Sequence, residues 1–115
     1  MISAQDIFDA RILIVDDQEA NVLLLERMLQ QSGYTNVSST QQPRKVAELQ
    51  RLNDHDLILL DVQMPDMDGF QVMESLGVGQ AASYLPVIVL TASPDPKLRA
   101  LQVGAKDFIS KPFDL

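Results

Sequence analysis

The chain has 115 residues, a net charge of −7 and no cysteine. That is one domain with room for a modest core; the acidic balance argues against a general nucleic-acid surface or binding to anionic membranes, and the missing thiols exclude a disulfide framework and thiolate metal sites. Apolar and charged shares of 46% and 22% are those of a soluble globular protein, no apolar run approaches the length of a bilayer span, and the first six residues do not read as a secretory leader, so a cytoplasmic location is the expectation.

Strand and helix signals alternate along the chain. Residues 11–15 (Arg-Ile-Leu-Ile-Val) are an apolar run without alternation, as a parallel strand covered on both faces demands. Residues 18–32 predict a helix with Val22, Leu25, Met28 and Leu29 at helical spacing, and Gly33 stands where a left-handed cap belongs. A weak strand at 36–39 precedes a helix entered at Pro43, with Val46, Leu49 and Leu52 as its apolar positions. The polar turn 53–56 carries the only histidine, His55, which reads as a solvated loop residue. Strand 57–60 leads into loop 62–68, and 69–76 reads as a short helix that Asp68 is placed to cap. Residues 78–84 form a loop, and strand 87–90 follows. A helix begins near Pro96, with Leu98 and Leu101 inward, and ends at Gly104 before a last strand at 107–110. The order is (βα)₄β, and strands separated by crossover helices imply a parallel, right-handed, doubly wound sheet.

In such sheets ligand sites form outside the carboxyl ends of the strands. Asp16 and Asp17 follow the first strand, Asp61 follows 57–60, and Lys111 follows the last. Each acidic position has two readings. It is a solvated turn capping the next helix, or it is a ligand for a hard cation such as Mg²⁺, which takes oxygen donors and typically one or two carboxylates. Carboxylates gathered at one edge repel by a few kcal/mol per close pair at an effective dielectric near 20. A divalent cation and a lysine would hold them together, and that combination points to phosphoryl chemistry. Lys111 is otherwise a surface lysine before a proline. Thr91, closing strand 87–90, is either a plain β-former or a hydroxyl donor to a phosphoryl oxygen.

Four segments carry a resemblance: Ile-Leu-Ile-Val-Asp-Asp at 12–17, Leu-Ile-Leu-Leu-Asp-Val-Gln-Met-Pro-Asp-Met-Asp-Gly at 57–69, Pro-Val-Ile-Val-Leu-Thr-Ala at 86–92, and Gly-Ala-Lys-Asp-Phe-Ile-Ser-Lys-Pro-Phe at 104–113. Together they resemble, in order, the response-regulator receiver domain of two-component signalling. The resemblance implies a flavodoxin-like five-stranded parallel sheet of order 2-1-3-4-5, with strands 1 and 3 adjacent at a topological switch point. It implies that Asp61 is the phosphoacceptor, that Asp17 ligates Mg²⁺ directly and Asp16 mostly through water, and that the backbone carbonyl of Gln63 is a further ligand. Thr91 and Lys111 would contact the phosphoryl oxygens, and Phe108 matches the aromatic switch position. The implied partners are a histidine kinase or phosphotransfer protein and an output domain or downstream protein. The implied activity is a phosphoacceptor switch that assists its own phosphorylation and dephosphorylation, not an enzyme.

One departure stands at the end. Receivers finish with a fifth helix, and this sequence stops at Leu115. The expectation is a receiver domain over 1–115 truncated before that helix and any output domain, with homodimerisation through the bare face as the alternative. Three other functions compete. A flavodoxin-type FMN carrier needs a phosphate-cradling first loop, and Asp16-Asp-Gln-Glu19 would repel phosphate. An Mg²⁺-dependent phosphohydrolase wants its nucleophile on the first strand and a second Asp two residues on, where Gln18 stands. A pseudo-receiver acting only as an interaction module sits badly with an intact acidic set and Lys111.

Overall fold

The structure, a computed structural model, describes residues 7–62, 64, 67–77, 85–91 and 104–110, except the side chains of Phe108 and Ser110. In chain order the elements are β1 (Ile12–Val15), α1 (Glu19–Gln31), β2 (Val37–Thr40), a 3₁₀ turn (Pro43–Lys45) running into α2 (Val46–Asn53), β3 (Leu57–Asp61), α3 (Gly69–Ser75), β4 (Val87–Thr91) and β5 (Asp107–Ser110). All strand pairs are parallel, in the order β2-β1-β3-β4-β5. The fold is therefore the flavodoxin-like doubly wound sheet that the sequence led us to expect.

Two apolar layers explain why the strands read as continuous hydrophobic runs. Leu13, Val15, Ile58, Leu60, Val87 and Val89 point to one face, against Val46 of α2 and Val72 and Met73 of α3. Ile12, Ile14, Leu59 and Leu90 point to the other, against Val22 and Leu25 of α1. Successive side chains alternate faces, so both parities must be apolar when both faces are covered. The edge strand β2 (Val-Ser-Ser-Thr) has no buried residue, and its register is held by pairing Val37 with Ile12 and Thr40 with Val15.

Local chemistry sets the ends of the helices. Gly33 has φ +104°, and a Cβ there would lie 3.1 Å from the ring of Phe8, which itself stacks edge-on against Tyr34 with centroids 5.3 Å apart. Only glycine suits both the backbone and the space. Asp68 caps α3 in a reciprocal box: the Gln71 N–H donates to Asp68 Oδ1 (2.9 Å) and the Asp68 N–H to Gln71 Oε1 (3.0 Å).

Two expectations need correction. Leu52 is 68% exposed. Once α2 is phased on buried Val46, position 52 lies six residues on and about 120° off the inward face at 3.6 residues per turn. The inward stripe instead passes through Leu49 and Gln50. His55 is buried, with 6% exposure, rather than solvated. Its side chain spans from α2 to β2, bonded to Gln50 Oε1 (3.0 Å) and Ser38 Oγ (3.1 Å). The predicted loop at 78–84 and the helix from Pro96, with Leu98 and Leu101, lie outside the described residues.

Candidate metal centre

The carboxyl ends of β1, β3 and β4 converge because these strands are adjacent and in register: Val15 pairs with Leu60, and Asp61 with Leu90. The residue that terminates each strand is therefore delivered to one edge. Asp16, Asp61 and Thr91 are all buried there, and Asp17 is half-buried. One oxygen from each of Asp16, Asp17 and Asp61 lies within 4.8 Å of the others.

Main-chain bonds fix the two aspartates of the first loop. The Asp16 N–H donates to the Thr40 carbonyl (3.3 Å), and Asp16 Oδ1 accepts the Gln18 N–H (2.9 Å). The carboxylate thus makes the turn into α1, and Gln18, the residue before that helix, supplies no side-chain cap of its own. Asp16 consequently combines the two roles that its sequence position left open: it shapes a turn and belongs to the acidic cluster. Asp17 Oδ1 differs. It is buried and has no hydrogen-bond partner among the described residues. An unanswered carboxylate oxygen costs on the order of 1–3 kcal/mol or more. Beside two further carboxylates, a cation is the partner best suited to it. Oxygen donors of this hardness fit Mg²⁺, which takes one or two carboxylates directly and keeps several waters in its shell.

The segment after Asp61 is held just as closely. The Val62 N–H donates to the Leu90 carbonyl (3.4 Å), and the Gly69 N–H to the Val62 carbonyl (3.3 Å), so loop 62–68 starts and ends on the same residue. A Cβ on Gly69 would lie 2.6 Å from Val62 Cα and 2.7 Å from the Asp61 carbonyl oxygen. The first turn of α3 therefore rests on the backbone beside the acidic cluster, and no side chain fits between. Sequence reasoning took Gly69 only as the first residue of a helix. No sequence signal marks the contact, because the interior penalty that flags a glycine does not apply at the first residue of a helix.

Of the residues singled out in the sequence, the structure brings Asp16, Asp17 and Asp61 together and places Thr91 at the end of the strand next to Asp61. Gln63 and Lys111 lie outside the described residues, and so does the side chain of Phe108, whose backbone pairs with Val89.

Comparison with known proteins identifies the family and the fold. The family model described as the response regulator receiver domain matches residues 12–115. The response regulator PleD of Caulobacter vibrioides is 42% identical over 107 residues, which cover 91% of this chain and 23% of PleD. The two-component response regulator ARR12 of Arabidopsis thaliana is 42% identical over 106 residues, covering 89% of this chain and 17% of ARR12. The chain thus spans less than a quarter of either relative's length. Among solved structures, the chemotaxis protein CheY4 of Vibrio cholerae superposes with a TM-score of 0.81 at 30% identity, covering 92% of this chain and 89% of that one.

Proposed function

The chain belongs to the response regulator receiver domain family, and on that premise we propose that it is a phosphoacceptor switch of two-component signalling with Asp61 as the acceptor. The observation that carries this reading is the acidic cluster with its orphaned Asp17 oxygen. Asp17 and Asp61 would hold Mg²⁺ by side-chain oxygens, with Asp16 and the backbone carbonyl of Gln63 as the further protein groups toward it. When bound, Mg²⁺ offsets the negative charge of the carboxylates and of an approaching phosphoryl group.

The remaining work falls to this chain's own groups. One carboxylate oxygen of Asp61 forms the new bond to phosphorus as the donor's bond to phosphorus breaks. Burial of Asp61, with 1% exposure, limits its access to water. Lys111, one residue past β5, balances charge on the phosphoryl oxygens. Thr91, at the end of the neighbouring strand, reaches the same oxygens through its hydroxyl. An added charge of about −1.5 to −2 is enough to draw Thr91 inward and bias a two-state loop, with the Phe108 ring taking the space released. The phosphoryl donor is a histidine kinase or phosphotransfer protein, and the switched partner is an output domain or downstream protein.

The test is incubation of the chain with acetyl phosphate and Mg²⁺. An acid-labile label on Asp61, absent in Asp61→Asn and in the presence of chelator, is the expected result. Turnover without a stable adduct points instead to a phosphohydrolase, and no label at all to a pure interaction module. The switching part is tested separately: beryllium fluoride should move the backbone amide resonances of residues 91–108, and an unchanged spectrum there removes it.

A further inference from the structure

A polar cavity of about 450 Å³ lies at the opposite, amino-terminal end of the sheet, lined in part by Arg11, Thr35, Asn36, Ser38, Asn53 and His55. The phosphoryl chemistry proposed above uses none of these residues. Although the chain carries a net charge of −7, no Asp or Glu is among the described residues lining this cavity. Its fixed charge is the Arg11 guanidinium. One N–H of that five-donor fork bonds the Asn53 carbonyl (2.8 Å), and nothing among the described residues takes the others.

The hydrogen bonds around His55 determine its tautomer. Gln50 Nε2 donates to the His55 carbonyl (3.0 Å), and Gln50 Oε1 accepts the His55 backbone N–H (2.9 Å), so two backbone groups orient the amide. Oε1 has only lone pairs to offer, and Nδ1, 3.0 Å away, must therefore carry the ring hydrogen. Nε2 is then a bare lone pair, and the Ser38 hydroxyl donates to it at 3.1 Å. The single ring position able to take a proton thus faces Ser38, a residue of the cavity wall.

We propose that this cavity is a proton-coupled binding site for a small oxyanion, a carboxylate or a phosphate monoester. Arg11 supplies the resident positive charge. As the anion enters, Nε2 takes one proton from solvent; Ser38 Oγ accepts the new Nε2–H and turns its own hydroxyl hydrogen to the anion. Burial and Arg11 hold the unliganded ring's pKa below the ordinary histidine value, while Asp56 and Asp54 oppose them. From α2 the ring meets Gln50 and from β2 Ser38, neither of them titratable in this range. An anion between Arg11 and the ring offsets the Arg11 field, so binding and protonation reinforce one another.

The experiment is an NMR titration of the full chain with acetate and, in parallel, inorganic phosphate, at constant ionic strength held with chloride, at about pH 7.5 and about pH 6.0. Saturable shifts at the amides of Asn36, Ser38, Asn53 and His55 are expected. The acetate affinity should be several-fold higher at the lower pH, since acetate itself keeps its charge across that range. Arg11→Gln should weaken binding about tenfold or more, as loss of a charge-assisted contact does. In the unsubstituted chain, saturating acetate should raise the pKa read from the His55 ring resonances. A response to phosphate alone assigns the site to phosphate esters, and a response to both assigns it to oxyanions in general. Linear shifts with both anions, shifts confined to residues around Asp61, the same affinity in Arg11→Gln, or a His55 pKa that neither anion raises would each overturn the proposal.

Discussion

The two ends of one sheet bury polar groups in opposite ways. At the carboxyl end Asp61 is as buried as the core, yet it lies within 4.8 Å of two further carboxylates. Two ionised carboxylates at that separation would repel by about 3.5 kcal/mol at an effective dielectric near 20. Asp17 Oδ1 has no hydrogen-bond partner among the described residues. At the amino end His55 is nearly as buried, but its ring and backbone groups are answered by Gln50 and Ser38. The first end gathers three carboxylates and leaves one oxygen unanswered among the described residues. At the second, the polar groups of His55 are all answered, and the fixed charge beside them is the Arg11 guanidinium. Unanswered charge in a folded chain costs stability, and it persists where a partner arrives from outside.

The most severe way to break this contrast is Gly69→Ala. The new methyl meets backbone rather than a flexible side chain, and the shift it forces falls on Asp61 and Val62. A loss of about 3 kcal/mol is expected from overpacking of this kind, read from urea unfolding, with Mg²⁺ affinity reduced in the protein that still folds. Next comes Gln50→Ala at the amino end. It strips the partners from the His55 N–H, carbonyl and Nδ1–H together, and a destabilisation of about 2 kcal/mol is expected.

Asp61→Asn should have the opposite sign. In chelator, removing one member of the acidic trio should raise stability by about 1–2 kcal/mol, less than the pairwise repulsion because Asp16 and Asp61 also make interactions of their own. With Mg²⁺ the gain should shrink or reverse, and an equal gain in both conditions would break the contrast between the two ends. Acidification sharpens it further. Because the folded-state pKa of His55 is lowered, the unfolded chain takes up that proton first. The contribution is fully present above the ordinary value of 6.5 and is lost as pH falls from there through the lowered folded value. Urea midpoints at about pH 7.5 and about pH 5.5 should show that loss, and His55→Gln should flatten it. The smallest effect belongs to exposed Leu52: Leu52→Ser should change stability by no more than about 0.5 kcal/mol.

The carboxyl end was legible in the sequence for a physical reason. Parallel strands buried on both faces must be uninterrupted apolar runs, so β1, β3 and β4 announce themselves, and whatever polar residue follows each run must emerge at the same edge. Asp16, Asp17, Asp61 and Thr91 are found by that rule alone. The amino end was not legible. His55 sits among Asn53, Asp54 and Asp56, a composition that reads as a solvated turn. Its burial depends on Ser38, 17 residues away on an edge strand, and on Gln50, a polar residue occupying the inward face of α2. No hydropathy period marks a polar residue whose task is to answer another. Leu52 failed for the complementary reason: spacing of three and three drifts off a helical face that spacing of three and four would follow. Gly69 was visible as a residue but not as a contact, because the backbone it lies against leaves no trace in side-chain pattern.

That contact also gives the junction a direction. Atomic repulsion rises far more steeply than attraction falls, so main chain resting on main chain acts as a stop on one side only. The first turn of α3 can lift away from Asp61 and Val62, but it cannot advance toward them. Excursions of this helix are therefore one-sided, and strain arising at the carboxylate has an outlet outward along the start of α3, beside the one proposed through Thr91.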